Sequence, residues 1–360
     1  MRVLQLTGSS AGGVARHARE ISTLLAEAGD DVVLAGPADV VAPVATDQAG
    51  GRVRTAVVDI ADRPRPQDLP AMAALRRLAA GADVVHAHGL RAGALAVLAL
   101  RGRPGRRPRL VVTVHNLTVG GARVRVVAAV LEALVARGAD AVLGVSGDLV
   151  ERMGTRGARD VARALVPAPE RAASGAAPAQ VRRALGLAEG ERLLLTVARL
   201  APQKGLDLLV DAARTLAADA GWRWVVVGDG PLRESLAART RGLPVILAGR
   251  RDDVPDLLAA ADVVVSTATW EGQPIAVQEA LRAGAALVAT DVGGTREVTG
   301  DAALLVPGGD AHALAAAVRE ALRDESRRDA LRAAARRRAA ELPEPAAVLA
   351  QLRAVYAGRA

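Results

Sequence analysis

The chain has 360 residues, about half of them apolar, with no cysteine, no phenylalanine, a single tyrosine and a formal net charge of +8. That length exceeds one ordinary hydrophobic core and suits two domains of roughly 150 to 180 residues, in a composition typical of a buried α/β protein rather than a disordered chain. The missing cysteines exclude disulfides and thiolate metal sites, the scarcity of aromatics disfavours nucleic acid, and no apolar run approaches the ~20 residues of a membrane span.

Val3–Leu6 predicts a first strand. Gly8 breaks this opening too soon for a signal peptide, so a cytoplasmic protein is expected. The loop that follows holds Gly12 and Gly13, whose missing side chains let backbone N–H groups at a helix start approach an anion. The spacing from Gly8 to Gly12 and Gly13 is not the dinucleotide fingerprint. Val14, Ala18, Ile21, Leu24, Leu25 and Ala28 then recur at helical spacing, and Gly29 stops that helix. Asp31–Ala35, Asp83–Ala87, Leu110–Val114 and Ala139–Val145 read as short buried strands with helical segments between them, which argues a doubly wound parallel sheet.

Two strand ends in this half carry histidine. His86 and His88 read mainly as structural, with His88 placed to line a cleft. His115, directly after the run LVVTV, can bond a ligand hydroxyl, move a proton, or simply hold its own loop. Nine arginines lie between Arg91 and Arg137 against one acid, Glu132. They read either as a solvated surface or as a patch for anionic lipid, a phosphate-bearing acceptor or nucleic acid, the last disfavoured by the scarce aromatics. The apolar run Leu90–Leu100 beside them is either a core helix or part of that docking surface.

Residues 167–190 are rich in Pro, Ala and Ser without a sustained period and read as a linker. Order resumes with strands at Arg192–Val197, Trp224–Val227, Val245–Ala248, Ala261–Val265 and Ala286–Ala289, separated by helices that include Asp207–Ala218 and Gln278–Arg282. An Ala/Arg-rich helix over 311–341, a break at Leu342-Pro343 and a last helix to about Tyr356 complete the chain. Ligands of such sheets bind outside the carboxyl ends of the strands, so a cleft between two domains is the expected site.

Three further loops offer chemistry at strand ends. Arg199 and Lys204 stand at a strand-to-helix turn, a planar fork and a mobile point charge suited to a diphosphate. Lys204 is the only lysine beside 46 arginines. Gly249 and Arg250 follow the run VILA. Glu271 sits on the Gly/Pro loop Gly272-Gln273-Pro274-Ile275, and Glu279 lies in the next helix. These acids cannot share one helix face, but they can contact different parts of one extended ligand, since a carboxylate accepts well from a vicinal diol.

Six segments in register then resemble glycosyltransferase family 4: Gly12–His17, Val112–Asn116, Ala198–Asp207, Val227–Arg233, Glu271–Ala280 and Ala289–Glu297. The resemblance runs from residue 1 to about 320 and implies a GT-B fold, two Rossmann-like parallel-sheet domains facing across a cleft with a final helix crossing back. It sets an acceptor-binding domain at 1–168, a linker at 169–190, a nucleotide-sugar domain at 191–342 and the returning helix at 343–360. It implies Arg199 and Lys204 on the donor diphosphate, Glu279 on the ribose, and Glu271 with the Gly272–Ile275 backbone on the donor sugar. Gly12 and Gly13 fall near the phosphate or acceptor, His115 near the donor sugar, and Gly249-Arg250 near the base. Pro274 lacks an N–H, so only its neighbours donate there.

The resemblance further implies retention of anomeric configuration, no resident cofactor and no metal, with a UDP- or GDP-linked sugar as co-substrate. The sequence agrees on metal in showing neither a D-x-D element at a strand end nor a His/Cys cluster. The rival readings are a non-catalytic GT-B partner subunit and a nucleotide-sugar epimerase. A pyridoxal-type phosphorylase would need Lys204 for a Schiff base, and a dehydrogenase would need the glycine fingerprint this chain lacks. The expected location is cytoplasmic, with peripheral contact on the inner face of the membrane through Arg91–Arg137.

Overall fold

The computed structural model describes residues 1–8, 13–46, 52–61, 65, 68–102, 105–117, 121–168 and 172–359. It divides into two compact units, Met1–Val166 with Pro343–Ala360, and Pro167–Leu342.

The first unit is a seven-stranded parallel sheet. Its strands are β1 (Arg2–Thr7), β2 (Asp31–Gly36), β3 (Val53–Val57), β4 (Val84–His88), β5 (Arg109–Val114), β6 (Ala141–Gly144) and β7 (Val161–Arg163). They lie in the order β3-β2-β1-β4-β5-β6-β7. The crossovers are α1 (Gly13–Glu27), α2 (Ala38–Thr46), α3 (Asp68–Leu78), α4 (Leu90–Leu100), α5 (Ala122–Gly138) and α6 (Gly147–Thr155). The central strands read as unbroken Val/Leu/Ala runs because helices cover both sheet faces. Val3 pairs with Val32 on one side and Val84 on the other. Edge strands β3 and β7 escape the sequence pattern for a physical reason: β3 (VRTAV) has no fully buried residue, and β7 is three residues long.

Helix α4 settles the ambiguity of the Leu90–Leu100 run. Ala92 to Val97, Ala99 and Leu100 are buried, so it is a core helix, and docking of this run on a membrane is ruled out. The basic stretch beside it is also partly neutralised, as Arg91 pairs with Asp68, Arg107 with Asp140 and Arg109 with Asp160. Arg103 lies outside the described residues. Apolar exposure falls instead on α5, where Val124, Val126, Val127 and Val130 are 46 to 64% accessible.

The second unit begins with α7 (Pro178–Ala184), inside the stretch whose composition suggests a linker. Val181 and Leu185 pack on the core there, and two apolar residues are too few to leave a helical period in the sequence. A six-stranded parallel sheet follows, made of β8 (Arg192–Val197), β9 (Trp222–Val227), β10 (Val245–Gly249), β11 (Val263–Ser266), β12 (Leu287–Thr290) and β13 (Leu304–Val306). Its order is β10-β9-β8-β11-β12-β13. The helices are α8 (Leu206–Leu216), α9 (Arg233–Arg239), α10 (Val254–Ala260), α11 (Ile275–Arg282), α12 (Thr295–Thr299), α13 (Ala311–Arg323) and α14 (Glu325–Ala339). Alternate residues feed the two faces: Leu193, Leu195 and Val225 join one core cluster, while Leu194, Trp224 and Val226 join the other.

The Ala/Arg-rich segment is two helices, not the single one its composition suggests. Asp324 adopts an extended conformation between them and its carboxylate accepts the Arg327 N–H, ending one helix and capping the next. The last helix, α15 (Pro345–Tyr356), packs in the first unit through Val348, Leu352, Val355 and Tyr356. Each sheet reverses its winding once, between β1 and β4 in the first and between β8 and β11 in the second. Those reversals open the crevice in which such sheets take ligands.

Candidate active site

In the second unit the reversal point is occupied by the turn after β8 and the loop after β11. Lys204 ends a short 3₁₀ turn, Pro202–Lys204, and Gly205 then enters α8 with φ +58°. A Cβ on Gly205 would stand 1.9 Å from the Thr267 carbonyl oxygen, so only glycine lets the two loops touch. The contact is hydrogen-bonded: Thr267 Oγ1 donates to the Lys204 carbonyl at 2.8 Å and the Thr269 N–H to the Gln203 carbonyl at 2.9 Å. This seam brings Lys204 Nζ to 2.5 Å from Glu271 Oε1, across 67 residues of chain.

Glu271 is 8% exposed and is also held from its other side. The Gly294 N–H donates to its carbonyl at 2.8 Å, and a Cβ on Gly293 would collide with that same oxygen at 2.1 Å. Gly272 is buried, Gln273 and Ile275 are half-buried, and Pro274 is the residue before the first turn of α11. Glu279 projects from the second turn of that helix with its Oε1 buried. Arg199 is exposed on the loop between β8 and the 3₁₀ turn. Gly249 ends β10 with φ +68°, and Arg250 follows it, exposed, at the far edge of the sheet. The structure thus joins Lys204 directly to Glu271, sets Glu279 in the helix that follows Glu271, and leaves Arg250 two strands away from β8.

In the first unit Gly12 lies outside the described residues, and Gly13 opens α1. His115 follows β5 and does not stand alone. His17 comes from α1 and His88 from the end of β4, and one ring nitrogen from each of the three lies within 4.8 Å of the others. This corrects the expectation that no histidine cluster exists: the three are separated by 71 and 27 residues in sequence, and only the β1/β4/β5 adjacency assembles them. His17, which the sequence singles out only as part of a motif, is the member that residue-level reading misses.

Behind the cluster runs a buried polar chain. His88 Nε2 lies 2.8 Å from Gln5 Oε1, Gln5 Nε2 donates to the Tyr356 hydroxyl at 3.1 Å, and that hydroxyl is 2.7 Å from His86 Nδ1. His86 Nε2 in turn meets Thr113 Oγ1 at 2.7 Å. Burial favours the uncharged imidazole throughout. It lowers the His17 pKa to about 4 and, with His17 nearby, that of His86 to about 3. Burial, reinforced by neighbouring imidazoles, takes His88 and His115 well below the usual range. The Tyr356 hydroxyl is pushed up by burial and stays protonated.

Residues 179–338 match the family model described as glycosyl transferases group 1, and residues 12–169 the glycosyl transferase 4-like domain. Among curated relatives, a D-inositol 3-phosphate glycosyltransferase of Geodermatophilus obscurus is 32% identical over 377 residues, covering 91% of this chain and 81% of that protein. The lipopolysaccharide core biosynthesis mannosyltransferase LpsB of Rhizobium meliloti is 33% identical over 132 residues, 34% of this chain. That match spans 38% of LpsB, and the first relatives found are covered over only 35 to 40% of their length. The crystal structure of Anabaena HepE in complex with UDP-glucose superposes with a TM-score of 0.82 at 22% identity, covering 99% of this chain and all of that one. This likeness shows the fold, GT-B.

Proposed function

The chain belongs to the family 4 type of glycosyltransferases, and from that premise we propose that it moves a hexosyl unit from a nucleotide-diphosphate sugar to an acceptor, with retention of configuration and no divalent metal at the diphosphate. The observation that carries this reading is the Lys204–Glu271 pair at the reversal point of the second sheet. A cation held there by a buried carboxylate is positioned before the ligand arrives. On donor binding the ammonium turns its protons to the phosphate oxygens, Arg199 adds a second cation, and together they neutralise the leaving diphosphate in place of a metal ion. Glu279 accepts from the ribose diol and Glu271 from a sugar hydroxyl. His115 bonds the donor sugar as a neutral group. In the transfer itself the bond from the sugar's anomeric carbon to phosphate oxygen breaks while the acceptor oxygen bonds that carbon from the same face, and the acceptor's proton passes to the leaving phosphate.

Solved structures of Anabaena HepE hold UDP and UDP-glucose, which makes UDP the nucleotide to test first. Calorimetric titration with UDP, GDP and ADP, each in EDTA, should show one nucleotide binding to the parent. Glu279→Ala should weaken that binding about 10- to 100-fold, as loss of a charge-assisted hydrogen bond does. A folded parent that binds none of the three would return the chain to the reading of a non-catalytic partner subunit. Donor turnover without any acceptor, giving an epimerised sugar, would favour the epimerase.

For the acceptor side we place peripheral contact with an anionic membrane on α5, where Arg123 and Arg125 alternate with the exposed Val124, Val126 and Val127. No helix among the described residues is long and apolar enough to cross a membrane.

A further inference from the structure

We propose that His17, His88 and His115 bind a borderline divalent transition-metal ion, for which Zn²⁺ is the fitting probe, and that the bound ion takes His115 away from the sugar. Metal binding stands on the geometry of the first unit alone; the second clause rests on the glycosyl-transfer reading above.

The distances suit an ion. Four-coordinate zinc holds imidazole nitrogens at about 2.0–2.1 Å, which sets any two of them roughly 3.3 Å apart. His88 Nδ1 and His115 Nε2 already stand 3.3 Å apart, and the whole triangle closes within 4.8 Å.

The hydrogen bonding suits it as well. Metal ligation needs a ring nitrogen with its lone pair turned to the ion. Gln5 fixes which nitrogen of His88 is offered. Its amide N–H is committed to Tyr356, so its carbonyl faces His88 Nε2 and takes that proton. The lone pair of His88 is thereby left on Nδ1, where it accepts the His115 Nε2–H; an ion entering between the two rings replaces this hydrogen bond, and the proton moves to His115 Nδ1. A ligating histidine oriented from behind by an amide carbonyl is the arrangement that metal sites use.

A second observation asks for a ligand at this place. His17 is 3% exposed, and its Nδ1 is buried without a hydrogen-bond partner among the described residues. Leaving such an atom unmatched costs about 1–3 kcal/mol, so it calls for a partner. Among the described residues the cluster contains imidazoles and no carboxylate. Nitrogen-only donors select Zn²⁺, Co²⁺ or Ni²⁺ over Mg²⁺ and Ca²⁺, and three ligands leave a fourth position open.

The test uses the full chain stripped with EDTA. Titration with Co²⁺ should give one equivalent of the visible d–d absorption that marks a four-coordinate site, displaced by Zn²⁺ and untouched by millimolar Mg²⁺. His17→Gln and His88→Gln should each weaken Co²⁺ at least tenfold while the circular dichroism of the fold is retained. Gln5→Leu should also weaken it, by about tenfold, since a hydrogen-bond partner behind a ligand acts at that level. A parent without the absorption, or a His17→Gln/His88→Gln protein that keeps it, overturns the site. If transfer is measurable, Zn²⁺ should inhibit the parent and spare His17→Gln; full activity with zinc bound overturns the withdrawal of His115. If no donor is turned over, the glycosyl-transfer reading fails, and the Co²⁺ spectrum still decides the metal site.

Discussion

Lys204 and Glu271 join two loops with the same atoms that, in the proposed function, meet the ligand, and substitution can separate the two roles. Glu271 is the more buried partner, its side chain 11% exposed against 25% for the lysine. Removing Lys204 leaves a largely desolvated carboxylate without its cation. Lys204→Met is therefore expected to cost about 1–3 kcal/mol in urea unfolding, the lower end favoured because water reaches the lysine. Lys204→Met with Glu271→Gln should recover most of that stability, because neither charge is then stranded. Nucleotide binding should stay lost in the double variant, since the cation on the diphosphate is gone. If binding returned along with stability, Lys204 would be a structural residue only. The sequence marks Lys204 and Glu271 as separate candidates on separate loops. Their pairing is not legible there, because it depends on β8 and β11 being neighbours and on Gly205 letting the Thr267 carbonyl approach.

At the scale of elements, what can be read in the sequence follows burial. Strands enclosed on both faces announce themselves as Val/Leu runs, as β5 and β8 do. The half-exposed edge β3 and the three-residue β7 lack such a run, and β13 (LLV) is too short to stand out, so all three escape notice. Candidate residues at strand ends are legible for the same reason, being polar groups that interrupt an apolar run. Residues on covering helices are not, and so His17 on α1 carries no signal of its own beyond its motif. Helix α5 shows the opposite limit. Its mean composition reads as an ordinary core crossover, yet its first half leaves four valines in water. Exposing that much contiguous apolar surface is unfavourable unless something covers it. Replacing Val126 and Val130 with Asp should leave thermal stability within about 0.5 kcal/mol, as surface substitutions do. Cosedimentation with vesicles containing anionic lipid should fall at least tenfold, since two buried valines contribute about 1.5–3 kcal/mol each. Equal cosedimentation of parent and variant would remove α5 from the membrane.

At the scale of the whole molecule, the first unit is discontinuous in sequence, because the chain leaves it at Val166 and returns at Pro343. What α15 supplies on its return is specific. Its Gln351 accepts the Leu165 N–H at 2.9 Å and donates to the Arg163 carbonyl at 2.7 Å, closing the edge of the sheet beside β7. The Val355 carbonyl takes Arg109 Nε at 2.7 Å, and the Tyr356 hydroxyl sits in the buried polar chain between Gln5 and His86. Val348, Leu352 and Val355 add burial worth about 1.5–3 kcal/mol each. Together these approach the ~5–15 kcal/mol that holds a whole domain. A chain ending at Leu342 should therefore lose hydrogen-exchange protection in β1, β4 and β5, while the strands from β8 to β13 keep theirs. Tyr356→Phe should be milder, about 1–2 kcal/mol, because it removes one hydroxyl from between two buried polar groups and keeps the ring. Equal loss of protection in both units after truncation would mean that the helix supports the second sheet as much as the first. Selective loss would show that α15 holds up the sheet that carries His88 and His115, through Arg109 at the start of β5 and through Gln5 and His86 in the buried polar chain.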